Sequence, residues 1–173
     1  MSNMSEPTLP DATPGPHYRL ITSTKEYLEA STQLIANAER TLCIFDPDGQ
    51  QLGFGTPAVC EQLRAFVSQG IDRRLNIVVH ALEHLSQSSS RFLALLQMYP
   101  DRIIVNRTDG DGLRAEDCFV VADEIHCVRR PVAAQRRGAV IEHDSAEVAR
   151  QLERFAEIWT SAVPGLTATT LGL

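Results

Sequence analysis

The sequence predicts an α/β sandwich: a mixed central sheet flanked by helices. Three observations carry this reading. Apolar strand-like runs (TLCIF, LNIVV, RIIV) alternate with segments of helical period, which favours parallel strands joined by helices. The run CFVVAD, a turn and IHCV follow directly, which reads as an antiparallel hairpin. A long amphipathic segment then closes the core, and no repeat or internal linker divides residues 17 to 163.

Each element has a local cause. His17 to Ile21 reads as a short strand, and Ser23 or Thr24 can cap a first helix whose apolar face is Tyr27, Leu28, Leu34, Ile35 and Ala38. Residues 41–46 form a compact strand running into DPDGQQLGFG, a Gly/Pro/Asp-rich loop of the kind that borders sites. Thr56 and Pro57 open a second helix on Val59, Leu63, Phe66 and Val67, and Gly70 stops it. Residues 75–80 form a third strand. One helix is expected from Leu85 to Tyr99, ended by Pro100, followed by a strand at 102–105 and the loop NRTDGDGLRAE. After the hairpin turning at Asp123-Glu124, RRPVAAQRR reads as a loop and GAVIE as a strand. Asp144 or Ser145 then caps the last helix, with Val148, Leu152, Phe155, Ile158 and Trp159 on its face. Residues 1–16, with Pro7, Pro10, Pro14 and Pro16, are expected to be a disordered tail; 17–163 form one domain, and 164–173 a C-terminal tail.

A chain of 173 residues suits one domain. A net charge of −6 gives no global attraction to nucleic acid or anionic membranes. No apolar run reaches the roughly 20 residues that span a bilayer, and the N-terminus lacks the pattern of a signal peptide. A cytoplasmic location is the default expectation. Cys43, Cys60, Cys118 and Cys127 fall in core-like contexts and are expected to be thiols.

The stretch from Glu116 to Ala162, strand, turn at an acidic residue, strand, basic segment and long helix, resembles the C-terminal part of a catalytic half of the phospholipase D-like superfamily. The resemblance implies a phospholipase D-like α/β sandwich over about residues 20–162. Members carry His-x-Lys-x-x-x-x-Asp on the first strand of this unit. With the Asp at Asp123, Glu116 holds the His position and Cys118 the Lys position, so only the Asp is kept. The family chemistry uses the His as nucleophile on phosphorus and the Lys to neutralise phosphoryl oxygens. Neither is supplied here, and Arg129, Arg130 and Pro131 stand where a Gly-Ser pair and an Asn usually follow. Active members need two motifs; this length accommodates one degenerate half, which the resemblance pairs into a homodimer.

The strongest remaining chemical signal is Arg129, Arg130, Arg136 and Arg137, four guanidinium groups within nine residues. They suit a phosphate-containing ligand, or they pair with Glu116, Asp117, Glu124 or Glu142 as a solvated loop. Asp123 reads in preference as the polar corner of a hairpin. Glu116 and His126 form an acid–base pair only if the hairpin brings them together. His80 and His84 have helical metal-ligand spacing without the accompanying Glu. Asp46-Pro47-Asp48-Gly49 lacks the later ligands of a calcium loop, and Gly53-x-Gly55 lacks the rest of a phosphate loop. No cofactor or metal is therefore expected.

The functional expectation is a non-catalytic binding or scaffolding module with residual anion affinity. The alternatives are an enzyme with replaced chemistry built on Glu116, Asp123, His126 and the arginines, or a binder of nucleic-acid backbone. The acidic balance and the absence of aromatics among the arginines oppose the last.

Overall fold

The structure, a computed structural model, describes residues 13–169. Of the two expected tails, residues 1–12 and 170–173 lie outside the described residues. The elements are β1 (His17–Ile21), α1 (Thr24–Asn37), β2 (Thr41–Phe45), α2 (Pro57–Ser68), β3 (Arg74–Val79), α3 (Glu83–Ser88), α4 (Ser90–Met98), β4 (Ile103–Arg107), a 3-10 turn at Gly110–Arg114, β5 (Cys118–Ala122), β6 (His126–Arg130), β7 (Gly138–Glu142), α5 (Ser145–Ser161) and β8 (Val163–Pro164). They build one sheet in the order β1-β7-β6-β5-β2-β3-β4-β8. Strands β2, β3 and β4 are parallel, and every other pairing is antiparallel, so the sheet is mixed as expected.

The alternation of side chains along the strands divides the core in two. Leu42, Ile44, Leu75, Ile77, Cys118 and Val120 pack under α1, α2 and α4. Phe45, Val78, Phe119, Val121 and Cys127 face α5. On that second side Phe45, Phe119, Phe155 and Trp159 form an aromatic row, with successive ring centroids 5.8, 6.3 and 5.5 Å apart.

The caps follow the sequence signals. Ser23 and Glu26 form a reciprocal capping box on α1, Thr56 with Pro57 opens α2, and Asp144 accepts from the Glu147 amide at the start of α5. Three details differ from expectation. The helix expected over 85–99 is two helices, broken at Ser89, which is fully buried with a non-helical backbone. The break receives the loop after β2: Phe54 stacks on Phe92 at 5.1 Å, and a Cβ at Gly55 would meet the Ser88 carbonyl at 2.8 Å, closer than any side chain tolerates. Second, the segment read as the loop RRPVAAQRR begins in a strand, since β6 extends through Arg129 and Arg130. Third, the chain after α5 pairs Val163 and Pro164 with Arg107 and Asn106, and Leu166 is buried.

Asp123 fastens the centre of the sheet. It and Glu124 both take positive φ (52° and 64°), the geometry of a tight right-twisting hairpin turn. Its carboxylate accepts the backbone N–H groups of Glu39, Arg40 and Thr41 at 2.8, 2.8 and 3.0 Å, joining the β5–β6 turn to the entry of β2. Replacing it by Ala strands three donors and places a Cβ-bearing residue with no side-chain acceptor at positive φ. Asp123→Ala is expected to cost about 1–3 kcal/mol, read from the urea midpoint, and Asp123→Asn less, because an amide oxygen still accepts and Asn tolerates the backbone.

Candidate functional site

The two positions that the phospholipase D-like motif would fill with His and Lys lie at the start of β5, beside the C-terminal end of β2. Glu116 is exposed, and Cys118 is fully buried. Burial pushes the Cys118 thiol up to about 12, so it carries no charge at neutral pH. The thiol is in hydrogen-bond contact with the hydroxyl of Tyr27, whose own ionisation burial also opposes. Above Tyr27 lies the guanidinium of Arg130, 4.3 Å from the ring centroid.

Arg130 faces Cys118 directly across the β5–β6 ladder. The sheet thus places a cation one strand away from the position where the motif would carry one. This cation is enclosed: Arg130 is 2% exposed, donates to Gln51 Oε1 at 3.1 Å and to the Ala133 carbonyl at 3.5 Å, and leaves Nε and Nη2 without a partner among the described residues. Sequence reasoning missed Tyr27 and Gln51 as its neighbours, since Tyr27 reads as one more apolar residue of a helix face.

The four arginines do not form one patch. Arg129 points to the α5 side and pairs with Glu147 at 3.2 Å, rather than with Glu116, Asp117, Glu124 or Glu142. Arg130 points to the opposite side and is buried. Arg136 and Arg137 are exposed in the β6–β7 connection and hold no ion pair among the described residues. A cleft of about 380 Å³ on the α5 side is lined by Arg114, Glu116, Asp117, Arg129, Gln151 and Arg154, among others; here Arg154 meets Asp117 at 3.4 Å, so carboxylates offset the arginines.

Asp46, the residue after β2, is 1% exposed. Its Oδ2 accepts the Leu52 amide at 2.9 Å and folds the Gly-rich loop back, so that Leu52 and Phe54 enter the core; Oδ1 has no partner. Desolvation raises this carboxyl to about 7. The loop expected to border a site is therefore mostly a lid of the core.

The remaining candidates separate. His126 faces Ala122 in register, so Glu116 lies six residues along β5, about 20 Å away at 3.4 Å per residue. No Glu116–His126 acid–base pair forms. His80 uses both ring nitrogens internally, on Thr108 Oγ1 at 2.6 Å and on the Ala115 carbonyl at 2.7 Å. His84 lies on α3 beyond a turn, so the spacing does not set both rings on one helix. All four cysteines are free thiols. Among the described residues, no group of three or more His, Cys, Asp or Glu is placed to hold a metal ion, and no helix is long and apolar enough to cross a membrane.

A model of the family described as Domain of unknown function (DUF7931) matches residues 23–169. No curated protein sequence matches the chain. Among solved structures the fold is similar to that of Nuc from Salmonella typhimurium, a phospholipase D family member (12% identity, TM-score 0.65, covering 88% of this chain and 99% of that one). It is also similar to NucT from Helicobacter pylori (12% identity, TM-score 0.62, 87% and 99%). A third similar structure is TrmBL2, an archaeal chromatin protein with a novel mode of DNA binding (14% identity, TM-score 0.62, 86% of this chain and 54% of that one). At such identities the likeness is one of fold, and the fold is the phospholipase D-like α/β sandwich.

Asp46 has a measurable signature. Its folded pKa is raised above the unfolded value, so its contribution to stability is full below about pH 4 and is lost as pH rises to about 7. Thermal unfolding of Asp46→Asn across this range is expected to lack that component, so the variant gains on the parent as pH rises and keeps its gain above pH 7.

Proposed function

From the premise that the chain belongs to the DUF7931 family and has the phospholipase D-like fold, we propose that it is a non-catalytic binding or scaffolding module, a single domain over about residues 17–163. One observation carries the reading: at the two motif positions the chain presents an exposed carboxylate and a buried neutral thiol, Glu116 and Cys118. A carboxylate repels a phosphodiester, and a thiol raised to about 12 under Tyr27 and Arg130 reaches no substrate. The enclosure of Arg130 removes the cation that faces Cys118 from solvent.

Residual anion affinity, in this reading, rests on Arg136 and Arg137, the two members of the basic segment that are exposed and hold no ion pair among the described residues. The replaced-chemistry alternative loses its acid–base pair with the separation of Glu116 and His126. For nucleic acid, the two exposed arginines are few against a net charge of −6.

Purified protein is expected to release no p-nitrophenol from bis(p-nitrophenyl) phosphate and to leave a DNA duplex intact; turnover that disappears in Glu116→Gln would overturn the reading. In a thermal-shift series with pyrophosphate and nucleotides, a ligand at a hundred times its Kd adds about 2.7 kcal/mol, a rise of several degrees. Arg136→Ala/Arg137→Ala is expected to abolish that rise. The variant leaves the buried Arg130 in place, so its fold is not at issue.

We further infer that the single half self-associates. β1 is the outer strand of the sheet and exposes Tyr18 (58%) and Leu20 (64%), a combination that solvent-facing edges ordinarily avoid. Sedimentation is expected to give a dimer that Leu20→Lys converts to monomer; a monomer at all concentrations would remove this part of the proposal.

A further inference from the structure

The end of the sheet remote from Glu116 and Cys118 holds a cavity of about 270 Å³. One face of α1 roofs it, through Ala30, Gln33, Leu34 and Asn37, residues at the helical spacing that shares a side. Its floor is the outer three strands: Arg19 on β1, Val140 and Glu142 on β7, and His126 on β6, with His143 just beyond β7.

The two imidazoles meet edge to face, centroids 4.6 Å apart and planes at 83°. Their arrangement is fixed by the backbone. His143 takes φ 55°, a conformation that non-glycine residues seldom adopt, and its N–H donates to His126 Nδ1 at 3.3 Å. With Nδ1 used as acceptor, neutral His126 carries its proton on Nε2, leaving that N–H as the ring's free donor. Arg19 has no ion pair among the described residues although Glu142 lines the same cavity; a carboxylate oxygen of Glu142 lies 3.3 Å from His17 Nδ1. The side chains of Gln33 and Asn37 make no hydrogen bond among the described residues. The cavity therefore collects a free guanidinium, two imidazoles and two free amides, against one half-exposed carboxylate beside His17.

We propose that this cavity is a binding site for a small oxyanion, a carboxylate or a phosphate monoester, with Arg19 as its charged anchor and His126 and His143 as donors. A guanidinium fork matches either group, and the volume suits a ligand of metabolite size. The proposal does not rest on the function proposed above, because none of the residues involved belongs to the basic segment or to the motif positions.

Binding should strengthen as pH falls. Burial, and then the neighbouring His143, lower the His126 pKa, while Glu142 and Asp123 act the other way; Arg19 is the cation across the cavity and α1 adds only neutral amides. A bound anion favours the imidazolium, in which both ring nitrogens carry protons and the bond from the His143 N–H to Nδ1 is given up; by linkage, protonation of His126 and anion binding support one another where the anion offsets that loss.

The test is to follow the imidazole Cε1–H signals in the intact protein by NMR while titrating inorganic phosphate and, separately, acetate, at about pH 6 and about pH 8. Saturable shifts of the His126 and His143 signals are expected, tighter at the lower pH. Arg19→Ala should weaken binding about tenfold or more, the loss of one charge-assisted hydrogen bond, and His126→Asn should remove the pH dependence. Arg136→Ala/Arg137→Ala should change nothing. Preference for phosphate or for acetate assigns the ligand class. Absence of saturable shifts with both anions up to about 10 mM, weaker than any useful site, overturns the proposal. So does binding that survives Arg19→Ala but is lost in the Arg136/Arg137 variant, an outcome that would instead leave the basic segment as the anion site.

Discussion

A guanidinium held in the interior organises the centre of this molecule. Removing an arginine from water costs several kcal/mol unless its field and its donors are met. Arg130 is met by the face of Tyr27, by the Gln51 amide oxygen and by the Ala133 carbonyl. Each comes from a different segment: Tyr27 from α1, Gln51 from the loop after β2, and Ala133 from the turn after β6. The one side chain thus ties helix, loop and strand together at the position where β5 would carry the motif lysine. Gly138 enforces the same closeness from the next strand, since a Cβ there would lie 2.4 Å from the Arg129 carbonyl and 3.0 Å from Arg130 Cγ. Arg130 Nε and Nη2 and Asp46 Oδ1 remain without partners among the described residues, in the same region. A buried guanidinium and a buried carboxyl group left partly unmet make this part of the core polar and demanding of position, which favours one arrangement over many.

At the other end of β5 a different polar contact does a different job. Asp123 receives three successive backbone amides from the approach to β2, so the hairpin turn and the first parallel strand cannot shift register independently. In the phospholipase D-like resemblance this is the one motif position retained. Its role here needs no substrate: it is set by backbone donors that would otherwise be stranded. A carboxylate at this position serves the fold whether or not any catalytic group stands near it.

Element order and sheet type were legible because hydrophobic period reports burial directly. TLCIF and CFVVA read as apolar strands, and they are; CFVVA is buried at every position, while Thr41 and Cys43 of TLCIF are partly buried. The capping residues Ser23, Thr56 and Asp144 were legible for the same local reason. The break at Ser89 was not, since it depends on Phe54 and Gly55 arriving from a loop more than thirty residues away, which no window of sequence contains. The site was less legible than the fold. Four arginines within nine residues look like one basic patch, yet Arg129 and Arg130 are neighbours in a strand, and strand geometry sends neighbours to opposite faces. One is offset by Glu147 of α5 and the other disappears under α1. Conversely, His126 and His143, seventeen residues apart, are brought into ring contact because β6 and β7 are antiparallel and the chain turns sharply at His143.

These placements give the two ends of the sheet opposite character. Where the parallel strands end, the loop carrying Leu52 and Phe54 is drawn inward by Asp46, the thiol of Cys118 is sealed, and the arginine beside it is enclosed. Polar groups there hold the structure together and are closed off from solvent, with or without partners. At the turn end, α1 stands off the outer strands, and arginine, imidazole and amide donors face a cavity without protein acceptors to satisfy them. Unmet donors cost little beside solvent and are what an incoming anion needs, whereas unmet donors in a sealed core only add to the cost of folding. The donors left open among the described residues thus lie at the end of the sheet remote from Glu116 and Cys118, and burial accounts for the separation.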